Sequence, residues 1–107
     1  MTVTVRAHEN IRPQLREFRR SLPGTREERA AAARACWEAF VADIVAANGR
    51  PPTGAVPDPR FPAAFWCPFP GGFLVLVHFP APHRTGLFSR VIEAVAIELN
   101  LSPDRPG

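Results

Sequence analysis

The chain has 107 residues, of which 46% are hydrophobic, and a formal net charge of +3. That length supports one compact core and is too short for two ordinary domains. No apolar run reaches the roughly 18 to 20 residues that cross a bilayer, and the N-terminal segment lacks the basic and then apolar layout of a signal peptide. We therefore predict one cytoplasmic domain over residues 1–107, with no membrane partner.

The basic residues are all arginine, and the chain has neither lysine nor tyrosine. Codon bias in a GC-rich genome accounts for most of this choice, as the many Ala, Pro and Gly residues indicate. A sequence pI near 10.1 is compatible with an anionic partner, because a guanidinium group binds two phosphate oxygens at once. Two cysteines, Cys36 and Cys67, are expected to be reduced and buried; a disulfide between them is the alternative.

A strand and an amphipathic helix open the chain. Residues 2–8 alternate between apolar and polar side chains, which predicts a half-buried strand with one wet face. Residues 11–22 place apolar side chains at helical spacing, with Asn10 available as the N-cap. We also expect a basic stripe on the opposite surface of this helix, because arginines recur there at helical spacing. The arginines are Arg12, Arg16, Arg19 and Arg20.

A capping box marks the start of a second helix. Thr25 is the predicted N-cap and Glu28 its reciprocal partner, so the helix begins at Arg26. Asn48–Gly49 supplies the left-handed residues that end it. The next segment, residues 50–62, is rich in proline and predicts an irregular loop.

A hairpin follows this loop. Residues 63–69 predict a short strand in which Pro68 lies at an edge or a bulge, because proline donates no ladder hydrogen bond. Residues 72–80 are apolar on both alternating faces, and neither face can meet water without loss. We therefore predict that they form the central strand of the sheet.

The end of the chain is ambiguous in its pattern. Residues 86–100 carry apolar side chains at helical spacing behind Thr85 as a cap, which favours a third helix. The alternative is a strand over residues 91–99, since Val and Ile suit sheets. Residues 102–107 are predicted to fray. The expected fold is α+β, in the order β-α-α-β-β-α, with a small antiparallel sheet covered by helices.

Histidines near the end of the predicted central strand are the candidates for proton transfer, the usual task of imidazole near neutral pH. His78, His83 and Arg84 could together hold a phosphate and move a proton, so we predict them as catalytic residues. In the alternative interpretation, His78 lies at the margin of the core and His83 is an ordinary loop residue. A metal site from Cys67, His78 and His83 lacks a fourth ligand and paired spacing, so we expect neither a metal nor a cofactor.

The arginine stripe is the second candidate. Solvation of one face is routine in amphipathic helices, while phosphate contact is the functional interpretation. No interleaved aromatics accompany the stripe, so the most it predicts is binding to a nucleic-acid backbone. The predicted nucleic-acid ligands are Arg12, Arg16, Arg19, Arg20, Arg60 and Arg90.

The run from Arg12 to Pro23, the capped second helix and the turn at Gly71–Gly72 into an apolar strand resemble the RelE/ParE superfamily of toxins from toxin-antitoxin systems. The resemblance covers residues 2–80. It implies an RNA endonuclease or nucleic-acid-binding toxin, with RNA or the ribosome and an antitoxin as partners. By position it implies site residues at Arg60, His78, His83 and Arg84. The chain departs from the family in lacking tyrosine and lysine, in its proline-rich linker, and in a predicted helix where the family has a final strand.

Two further interpretations remain. The element order is similar to a type I KH domain, but the loop Pro23–Arg26 lacks the second glycine of the GxxG motif. The chain would otherwise be a non-catalytic adaptor that forms a homo-oligomer. Its expected contact patch is Phe61, Phe65, Trp66 and Phe69.

Overall fold

A mixed sheet and two helices make up the computed structural model, which describes residues 1–87 and 89–101. The helices lie between the first and second strands in the chain. In order, the elements are β1 (Thr2–Ala7), α1 (Arg12–Ser21), α2 (Arg26–Ala46), β2 (Val56–Pro57), β3 (Ala64–Phe69), β4 (Phe73–His78), β5 (His83–Arg84) and β6 (Arg90–Asn100). The α+β class is therefore confirmed.

The strands are arranged in the order β1-β6-β4-β3-β2, and β5 pairs with β6. The β1–β6 pair is parallel and the other pairs are antiparallel, so the sheet is mixed and the predicted antiparallel sheet is wrong in this respect. As predicted, β4 lies in the middle of the sheet, and Val75, Leu76 and Val77 are all buried although they alternate between its faces. The predicted hairpin of β3 and β4 is confirmed.

The predicted third helix is wrong, because residues 90–100 form the strand β6. Its β-branched residues suit a pleated sheet, and burial follows a period of two, with Ile92, Ala94 and Ala96 buried and Glu93 exposed. Pairing with β1 on one side and β4 on the other then fixes the strand. The order is consequently β-α-α followed by five strands. The predicted tail, 102–107, lies outside the described residues.

The helix boundaries follow local signals. The capping box is confirmed: Glu28 N–H donates to Thr25 Oγ1 at 3.2 Å, and Thr25 N–H donates to Glu28 Oε1 at 3.1 Å. Asn48 and Gly49 have φ of 57° and 81°, the left-handed conformation predicted to end α2. The predicted N-cap of α1 is wrong: Ile11 occupies that position, because Asn10 lies in the preceding turn, where its N–H donates to His8 Nδ1 at 3.1 Å.

The core lies between the helices and one face of the sheet. Phe18 of α1 and Phe40 of α2 both pack on Phe69 of β3, with ring centroids 5.3 and 5.5 Å apart. Full burial of each such side chain stabilises the fold by about 1.5 to 3 kcal/mol. The other core residues are Ile11, Ile44, Cys67, Val75, Val77, Phe79, Ala94, Ala96 and Leu99. Both cysteines are free, as predicted, with Cys67 buried and Cys36 half-buried.

The proline-rich segment is irregular apart from the short strand β2. Because β2 pairs only with Phe65 and Trp66 of β3, Pro68 lies beyond that pairing, at an edge position as expected. In the described part of the chain, neither helix has the length and apolar character to cross a membrane.

Candidate active site on the open face of the sheet

The side of the sheet away from α1 and α2, here called the open face, has a small apolar cluster of its own. Ala64, Trp66 and Leu76 are buried there, with Leu74 packed beside them and no helical residue in the cluster. Residues that are partners across paired strands point to the same face. The register therefore identifies which side chains share the open face.

One row across the open face carries His78. His78 pairs with Ala64 on β3 and with Val95 on β6, and Val95 pairs in turn with Arg6 on β1. Arg6 therefore lies two strands from His78, roughly 10 Å away in the backbone. The His78 side chain is half-buried, and in the described part of the chain it has no hydrogen-bond or ion-pair partner. Its imidazole is free to contact a ligand.

His83 lies on the same face but in another row. It pairs with Val91 of β6, four residues from the Val95 that faces His78. At about 3.3 Å per residue, the two histidines are about 13 Å apart along the strand direction. Arg84 pairs with Arg90 at the next position, so both point away from the open face. The structure therefore does not bring His83 and Arg84 together as the predicted pair.

Asp58 anchors the proline-rich loop to the open face, a role the sequence analysis missed. Its backbone N–H donates to Ala64 O at 2.9 Å, and its buried carboxylate accepts the indole N–H of Trp66 at 3.0 Å. It also accepts the Arg60 backbone N–H at 2.7 Å. Asp58 lies between two prolines and accepts the N–H two residues later, which is the pattern of an Asx turn. That pattern could have identified the role of Asp58 from the sequence.

Arg60 and Asp58 form an ion pair on the open face. Arg60 Nη2 lies 2.9 Å from Asp58 Oδ2, and Arg60 Nε lies 3.3 Å from Oδ1. Hydrogen bonding from the Arg60 side chain is the main reason that the pKa of Asp58 falls from 3.8 to about 2. The same bonds, with the neighbouring charge of Glu98 as a lesser cause, raise the pKa of Arg60. Arg60 is 51% exposed and keeps donors toward solvent.

A second arginine–carboxylate pair lies on the far side of His78. Arg6 Nε donates to Glu93 Oε1 at 3.0 Å, and about half of each side chain is exposed. The open face therefore carries His78 together with two arginines, Arg6 and Arg60, each held by a carboxylate. This arrangement can hold an anionic group and leave an imidazole beside it.

The predicted arginine stripe lies in the other layer of the fold. Its members are exposed on α1, which the sheet separates from the open face. Arg90 pairs with Arg84 and lines a cleft of about 370 Å³ with Leu87 and Ser89. Of the predicted nucleic-acid ligands, only Arg60 therefore shares the open face with His78.

Cys67 belongs to the core beneath the helices, on the opposite face from His78. The described residues contain no group of three His, Cys, Asp or Glu that could hold a metal. The alternative contact patch of four aromatic residues is not formed on the surface. Phe61 is 53% exposed, but Trp66 is 2% exposed beneath the Asp58 loop, and Phe65 and Phe69 face the helices.

In comparisons with known proteins, the chain matches no family model, and neither a curated protein nor a solved structure matches it.

Proposed function

We propose that this protein is a small RelE/ParE-like toxin that acts on RNA at the open face of its sheet. The observation that carries the proposal is the strand register, which gathers His78, His83 and Arg6 on the face that the helices leave uncovered. Arg60 joins them through its ion pair with Asp58, which is hydrogen-bonded to Trp66 of that face. The strand β6 adds support, because the family resemblance implies a final strand in that position.

His78 is the residue that suits proton transfer best. It shares the open face with Arg6 and Arg60, whereas His83 is about 13 Å away from it along the sheet and cannot contact the same phosphate. In RNA cleavage, the 2′-oxygen attacks phosphorus, the bond to the 5′-oxygen breaks, and a 2′,3′-cyclic phosphate and a 5′-hydroxyl result. An imidazole that takes the 2′-hydroxyl proton, with arginines that stabilise the charge on phosphorus, supplies that chemistry, and the leaving 5′-oxygen takes its proton from water.

Growth after induced expression in a bacterial host tests the proposal. We expect growth arrest by the wild type and by His8→Ala. In the wild type the His8 imidazole accepts a backbone N–H in the turn after β1 and is not part of the proposed site. We expect no arrest by His78→Ala and a partial effect for His83→Ala. All variants are compared at equal expression and equal thermal stability. Arrest by His78→Ala at the wild-type rate would refute the assignment.

The outer side of α2 favours a second candidate function, an adaptor that pairs with a second copy of the chain. Val45 is 44% exposed, and it lines an apolar cleft of about 490 Å³ with Trp37, Val41, Ala42 and Ala46. A two-fold contact would remove the same apolar surface on both copies from water. Light scattering distinguishes the two candidate functions. The adaptor is favoured if the wild type is a dimer that Val45→Glu dissociates, while Ala32→Glu, on another side of α2, leaves the dimer intact.

A further inference from the structure

Unpaired arginines converge where α1 ends and α2 begins. Arg19 and Arg20 from the last turn of α1 and Arg26 and Arg29 from the start of α2 line a cleft of about 240 Å³, here called the hairpin cleft. Gly24, with φ of 105°, turns the chain between the helices, and a Cβ there would lie 3.1 Å from the Cβ of Glu28. This tight turn is what brings the two pairs of arginines together.

These arginines make no ion pair in the described part of the chain. The ion pairs found there are Arg6–Glu93 and Arg60–Asp58, both on the open face. Two acidic residues, Glu27 and Glu28, lie in the first turn of α2. The Glu28 carboxylate accepts the Thr25 N–H, and the hydrogen bonds with Thr25 lower the pKa of Glu28. Among the described residues, the hairpin cleft therefore brings together four arginines that no salt bridge engages.

A second cleft of about 310 Å³ adjoins the first and shares Arg19 with it. Arg16 and Arg34 also line it. Its remaining lining is apolar: Leu15, Phe18, Ala30, Ala33 and Trp37. Trp37 is half-buried, so an indole ring lies in a cleft that arginines line, and single-strand binding sites combine such cations for phosphates with aromatic rings for bases.

We propose that the hairpin cleft and its neighbour bind the phosphodiester backbone of single-stranded RNA, in the helical layer and separately from the open face. Arg26 and Arg29 are members that the predicted stripe on α1 did not include, and Arg12, which was in that stripe, lines neither cleft. The inference does not depend on catalysis at the open face.

Fluorescence anisotropy with a labelled 20-nucleotide single-stranded RNA tests this proposal across a series of salt concentrations. The test variant carries Arg19→Gln, Arg20→Gln and Arg26→Gln, and the control carries Arg50→Glu and Thr53→Glu in the loop after α2. Both variants lower the net charge by three at exposed positions. Circular dichroism verifies that both variants are folded.

We expect the test variant to bind the RNA roughly tenfold more weakly than the wild type at low salt. The plot of log K against log salt should also become less steep, by about 2 in magnitude, since each phosphate contact to a single strand contributes about 0.7. The control should keep the wild-type slope. An equal loss in both variants would overturn the proposal, because overall charge would then explain the binding. Equal competition by poly-L-glutamate at matched charge would overturn it in favour of an acidic protein partner.

The His78→Ala, His83→Ala variant separates this inference from the proposed function. It keeps every residue of the two clefts, so we expect it to bind the RNA with wild-type affinity even if growth arrest is lost. Loss of RNA binding in that variant would place the main contact on the open face and refute the hairpin cleft as a separate site.

Discussion

Replacement of Asp58 tests how the proline-rich loop is held on the open face. Trp66 is buried beneath this loop, and the Asp58 carboxylate is the acceptor for its indole N–H. Asp58→Ala leaves that buried donor without a partner, and an unsatisfied buried N–H costs about 1 to 3 kcal/mol. In a domain of this size, each kcal/mol lowers Tm by roughly 4 to 8 °C. We therefore expect a clear loss of stability from this one substitution in the loop.

A double-mutant cycle with Trp66→Phe isolates the indole contact. Phenylalanine keeps an aromatic ring under the loop but has no N–H, so Asp58→Ala in that background leaves no orphaned donor. Urea unfolding followed by far-UV circular dichroism suits all four proteins, because fluorescence would lose one of the two tryptophans. We expect a coupling energy of at least about 1 kcal/mol, whereas costs that add within about 0.5 kcal/mol would refute the reasoning.

Three further predictions concern acid stability, thiol reactivity and capping. The pKa of Asp58 falls from 3.8 to about 2 on folding, so the contribution of Asp58 to the free energy of unfolding is fully present above about pH 4 and is lost as the pH falls toward 2. Unfolding free energies measured in urea between pH 5 and pH 2 should show this loss in the wild type and not in Asp58→Ala. Burial raises the pKa of Cys67 to about 12, so a thiol reagent at pH 8 should label Cys67 only after denaturation, and labelling of the native protein at that position would contradict the buried placement. Thr25→Ala should cost about 1 kcal/mol of unfolding free energy, measured in urea, because it removes the N-cap of α2, while Thr25→Ser should restore most of it.

Elements with strong local signals could be predicted from the sequence. The capping box of Thr25 and Glu28 is formed by residues three apart, and β4 is apolar on both faces because it lies inside the sheet. By contrast, the apolar residues of β6 fit both a helix and a strand. Pairing with β1 decides in favour of the strand. Because β1 lies almost the whole chain away in sequence, a local pattern cannot predict this pairing.

The candidate site shows the same division. Alternation along β4 correctly places His78 opposite the core-facing residues, but its neighbour Arg6 lies on the first strand and becomes a neighbour only through β6. His83 and Arg84 are adjacent in sequence, yet pairing of both with β6 turns them to opposite sides. The hydrogen bond between Asp58 and Trp66 joins a loop to a separate strand, so no local pattern contains it.

Mapping of RNA ends after induced expression tests the central claim, that His78 on the open face acts on RNA. The account predicts new 5′-hydroxyl ends in transcripts from cells that express the wild type or His8→Ala, and none from cells with equal amounts of folded His78→Ala. The same ends at the same abundance with His78→Ala would contradict the account, as would growth arrest by the wild type without any cleaved RNA.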